Sequence, residues 1–170
     1  MMKSFFASYD KDGDKRLTRE EWDNFSAALK KGKNVLLAVR PGGKGDATET
    51  HVAWKMERGA PLDPSPLLVG DELYLVSDQG VATCVDAKTG KQHWQERIGG
   101  NFSASPIHAV GNIYFLSEDG VCTVVKADKT FSQVAKNELK GRTFASPTPI
   151  EGALFLRTDT QLFRIEAEAK

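Results

Sequence analysis

The chain has 170 residues, enough for one or two domains, and its apolar fraction of 40% is ordinary for a globular protein with a water-facing surface. Lys plus Arg and Asp plus Glu balance at 23 each, so no net field pulls the chain towards nucleic acid or an acidic membrane. No apolar run approaches the roughly 18 residues of a spanning helix, and Met1 to Phe6 is too short an apolar stretch to act as a signal peptide.

Residues 1–33 differ from the rest. Met2, Phe5, Phe6 and Tyr9 recur at helical spacing, and Trp22, Phe25, Ala28 and Leu29 form a second apolar stripe that ends near Gly32. Between them lies D-K-D-G-D-K-R-L-T-R-E-E, from Asp10 to Glu21. Helix, twelve-residue acidic loop and helix form the EF-hand arrangement. Ca²⁺ is a hard cation that takes six to eight oxygens, and the loop offers them at the required places. Asp10, Asp12 and Asp14 supply side-chain carboxylates from positions 1, 3 and 5. Arg16 supplies its carbonyl, Thr18 its hydroxyl or a bound water, and Glu21 both carboxylate oxygens. One ion is expected. Lys15 stands where the loop usually has Gly, and holding it at positive φ costs about 1 kcal/mol, several-fold in affinity. Thr18 and Glu21 also read as a capping box for the second helix. That explains two of the ligands without a metal, but not the three alternating aspartates before them.

Asn34 to Arg40 reads as a buried strand, followed by a Gly-rich loop from Pro41 to Asp46 that lacks the spacing of a phosphate-binding loop. His51 to Glu57 is a further strand containing Trp54. From Pro64 onward the chain repeats. Ser65-Pro66 returns as Ser105-Pro106 and Ser146-Pro147, Gly70 as Gly111 and Gly152, and Leu73 to Ser77 as Ile113 to Ser117 and Leu154 to Arg157. Each unit holds short Val-, Leu- and Tyr-rich runs divided by turn residues, and Trp94 follows Trp54 by 40 residues. Four-stranded units repeating at about 40 residues predict a β-propeller. The fold class is therefore mainly β: an incomplete propeller of antiparallel blades preceded by a helix-loop-helix. A partial blade of two strands spans 34–57, full blades span 65–97 and 105–137, and a partial blade of three strands spans 146–166, giving thirteen strands. That count does not close a ring, so the expectation is the C-terminal portion of a longer propeller, whose unpaired strand edges favour self-association.

Cys84 and Cys122 fall in the third strands of successive repeats and read as buried thiols between neighbouring sheets. His51, His93 and His108 share no spacing with a carboxylate or a Cys, and no nucleophile or zinc motif is present, so no catalytic residue is assigned.

The pattern S-P-x-x-x-x-G-x-x-Y-x-x-S-x-x-G followed by V-D-A-K-T-G-K-x-x-W resembles the pyrroloquinoline-quinone-type propeller repeat, most closely from Ser65 to Trp94. With Val39-Arg40-Pro41-Gly42-Gly43, Thr48-Glu49-Thr50-His51 and the acidic loop, the chain is similar to bacterial quinoprotein-like propellers that carry EF-hand-like insertions. The resemblance implies Gly at turns, Trp packed between blades, and an exported or periplasmic full-length protein. It does not imply the quinone: the dehydrogenases of that group need a vicinal disulfide, and no Cys-Cys pair is present. The expected role is a calcium-binding, non-catalytic interaction scaffold that meets a protein partner through its rim or loops. The competing expectation is part of a quinone-dependent dehydrogenase whose active site lies mostly outside this chain.

Overall fold

The computed structural model describes residues 10–31 and 34–166, and the chain divides into two compact units, residues 1–33 and 34–170. In the first unit the helix α1 runs Arg19–Lys31, with Glu20 and Glu21 in its first turn, where carboxylates meet the positive end of the helix dipole. The helix expected over Met2 to Tyr9 lies outside the described residues.

The described residues of the second unit form thirteen strands in four antiparallel sheets. The first sheet pairs β1 (Leu36–Val39) with β2 (Val52–Met56). The second holds β3 (Leu67–Val69), β4 (Glu72–Val76), β5 (Val81–Asp86) and β6 (Gln92–Arg97) in sequence order. The third repeats it with β7 (Ile107–Ala109), β8 (Asn112–Leu116), β9 (Val121–Lys126) and β10 (Gln133–Glu138). The fourth has three strands, β11 (Thr148–Ile150), β12 (Ala153–Arg157) and β13 (Leu162–Glu166). Meanders of this kind place each strand beside its sequence neighbour, so two-residue turns suffice for the inner hairpins.

Three expectations need correction. The strand at Asn34 to Arg40 is shorter and only half-buried, with Leu37 and Val39 exposed. Thr48 to His51 is one turn of helix, α2 (Thr48–His51), so His51 is not a strand residue; the Asp46 carboxylate accepts the Thr48 N–H at 3.0 Å and starts that turn. Gly70 is not the counterpart of Gly111. Val69 pairs with Glu72 and Ala109 with Asn112, so the two-residue turns are Gly70-Asp71, Val110-Gly111 and Glu151-Gly152. Val110 holds the place of Gly70, and it has φ +48 while 92% exposed. A β-branched side chain in the left-handed region is disfavoured by contact between its Cβ and the backbone.

The sheets are fastened to one another by elements that repeat. Trp54 in β2 sends its indole N–H to the Ala87 carbonyl of the second sheet at 3.0 Å, and its ring lies where a Cβ on Gly90 would stand, 2.7 Å away. Trp94 in β6 does the same to the third sheet, donating to the Asp128 carbonyl at 3.0 Å and meeting Phe131 edge-on at 5.2 Å. The Ser65 N–H donates to the Ser105 hydroxyl and the Ser105 N–H to the Ser146 hydroxyl, both at 2.9 Å. The repeated serines are thus links between inner strands. The prolines after them precede β3, β7 and β11, where no ladder hydrogen bond is lost. Gly80 and Gly120 are buried, and their carbonyls accept N–H groups from Ile98 and Leu139 as the chain leaves β6 and β10. A Cβ there would collide with the Gly99 or Leu139 carbonyl oxygen.

The main core lies between the second and third sheets: Tyr74, Val76, Cys84, Trp94, Ile98 and Phe102 face Ile113, Phe115 and Val125. A smaller core of Leu116, Cys122, Val124 and Leu156, with Ala104, lies between the third and fourth. Alternation along each strand produces both, since odd and even positions of β8 and β9 face opposite sheets.

Candidate metal centre

The acidic loop is shaped by its own carboxylates. Asp10 accepts the Gly13 N–H on one oxygen at 2.8 Å and the Lys15 N–H on the other at 3.0 Å. Asp12 accepts from Asp14 at 3.2 Å, and Asp14 from Arg16 at 2.7 Å. Bonds from a short acidic side chain to an N–H two or three residues on are those that Asp forms readily in turns. They curl the chain through Gly13 at φ +74 and Lys15 at φ +65. Lys15 therefore adopts the left-handed conformation that the loop needs at that place, without the residue that makes it easy.

Glu21 closes the loop from the far end. Its Oε1 accepts the Lys11 N–H at 2.7 Å, and its Oε2 accepts the Thr18 N–H at 2.9 Å and the Thr18 hydroxyl at 2.8 Å. The Thr18 hydroxyl accepts the Glu21 N–H in return at 3.3 Å, which completes the capping box. The Thr18 N–H, followed by the Lys11 N–H, holds the Glu21 carboxyl below its ordinary value. Glu21 is 6% exposed, and it is the buried anchor of a loop that is otherwise in water.

This folding brings together Asp10, Asp12 and Glu21, each offering a carboxylate oxygen within 4.8 Å of the other two. Asp14 stands outside that group, and Arg16 and Thr18 are exposed at the loop's outer turn. Three converging carboxylates with no sulfur or imidazole form a hard donor set. It suits Ca²⁺ or Mg²⁺ and not the softer transition metals. The backbone bond from Lys11 to Glu21 had no sequence signal, because an N–H at the second loop position is available whatever residue stands there.

Elsewhere among the described residues, no further cluster of His, Cys, Asp and Glu is placed to hold a metal. His51 Nδ1 lies 2.7 Å from the Thr50 hydroxyl, His108 is exposed on β7, and His93 Nε2 is buried without a partner among the described residues. Cys84 and Cys122 are free thiols in the two inter-sheet cores, and burial pushes both up to about 11.

A cavity of about 600 Å³ opens between the third and fourth sheets, lined by Tyr114, Leu116, Cys122, Leu154, Leu156 and Ile165 among others. Spacing gave no hint of it. The signal was the lack of a tryptophan one repeat after Trp94. Cys84 pairs with Trp94 and Val124 with Ala135, so Ala135 occupies the tryptophan's place, 41 residues on.

No curated protein matches the chain. Among solved structures, the fold is similar to BamB from Moraxella catarrhalis, with a TM-score of 0.54 and 17% identity over 70% of this chain and 35% of that one. It is also similar to quinohemoprotein alcohol dehydrogenase from Pseudomonas putida HK5, with a TM-score of 0.46 and 16% identity over 56% of this chain and 17% of that one. The chain thus spans about a third of the length of the first of these. Residues 33–134 match the family model described as outer membrane protein assembly factor BamB. The match covers more than half of the 170 residues, and the chain belongs to that family of pyrroloquinoline-quinone-type propeller repeats.

Proposed function

We propose that the loop from Asp10 to Glu21 is an EF-hand that binds one Ca²⁺ ion, and that the propeller segment attached to it is a non-catalytic interaction scaffold. The observation that carries the metal reading is the convergence of Asp10, Asp12 and Glu21 on one point 4.8 Å across. Asp14, the Arg16 carbonyl and Thr18 complete the donor set. Three carboxylates held this close repel one another until a cation sits among them. The ion's role is structural, since it ties the start of α1 to the residues before it. No quinone is assigned to this segment: it contributes no Cys-Cys pair, and its tryptophans pack between sheets. Membership of a family described as an outer membrane assembly factor supports an exported protein whose partners are proteins.

Calorimetric titration is the direct test. Ca²⁺ should give a saturable heat that Asp10→Ala abolishes, and silence at millimolar Ca²⁺ would sink the metal reading. Lys15→Gly should tighten binding about fivefold, because it releases about 1 kcal/mol of left-handed backbone strain. Dye reduction by full-length protein supplied with pyrroloquinoline quinone and Ca²⁺ would overturn the non-catalytic half.

A further inference from the structure

We draw no further inference here: the strongest candidate, the cavity of about 110 Å³ at the turn between β12 and β13, where the Arg142 guanidinium lies 4.8 Å over the exposed Phe144 ring and Arg157 stands alongside, carries nothing because nothing among the described residues shows what covers it.

Discussion

The two inter-sheet layers on either side of the third sheet use the same backbone and reach different ends. Towards the second sheet, Trp94, Tyr74 and Phe131 close the gap, and Phe115, Ile113 and Val125 are fully buried. Towards the fourth sheet, Ala135 stands in the tryptophan's place, and about 600 Å³ is open to one side. The open layer lacks the tryptophan side chain, and among the described residues its fourth sheet has no strand beyond β13. The difference shows what the repeated tryptophan does: it fills the neighbour's interior, and its indole N–H satisfies a carbonyl in the neighbour's connection.

The sharpest way to break the contrast is Trp94→Ala. It should make the closed layer resemble the open one and cost about 3–5 kcal/mol in a urea titration, the usual range for a buried Trp truncation; a loss under about 1 kcal/mol would mean that the tryptophan is not what closes the layer. The converse change, Ala135→Trp, should stabilise the chain by about 0.5–2 kcal/mol as cavity-filling changes do. Val110→Gly relieves a left-handed β-branched residue and should add about 1 kcal/mol; a destabilised variant would show that Val110 packs against something in solution. The smallest effect concerns the thiols. Both are pushed up to about 11, so alkylation should be slow at neutral pH and accelerate as pH rises towards that value, where the thiolate forms. Cys122 lines the cavity whereas Cys84 is fully buried. Peptide mapping after iodoacetamide treatment should therefore find Cys122 modified first, and equal rates would mean that the layers do not differ in access.

Much of the propeller was legible because its signals are local and recur. Gly-bearing turns, alternating strands and Ser-Pro starts each return at about 40 residues, and the eleven strands from β3 to β13 followed from them. The register within those turns was not legible. Gly70 and Gly111 look equivalent at a spacing of 41, yet a one-residue difference between repeats puts Val110 opposite Gly70, and only the pairing partners reveal it. The closeness of Asp10, Asp12 and Glu21 was readable because side-chain type and spacing mark the loop that brings them together. The Lys11 N–H on Glu21 was invisible, since backbone donors leave no mark in composition. The cavity was hidden for a different reason: an absence at Ala135 has meaning only once the residue it replaces is known.

The four links that repeat between sheets run in one direction. The indole N–H of Trp54 and Trp94 and the backbone N–H of Ser65 and Ser105 belong in every case to the earlier sheet, and the acceptors at Ala87, Asp128, Ser105 and Ser146 to the later one. A sheet emerging first, from a ribosome or through a translocation channel, cannot satisfy these donors until its successor arrives. Each sheet therefore waits for the next, like an overlapped roof tile whose nail passes through the following course. Nascent chains stopped after Arg97 should leave Trp94 wet, and those released after Lys140 should not, so burial of the second sheet's tryptophan would mark the moment at which the third has joined it.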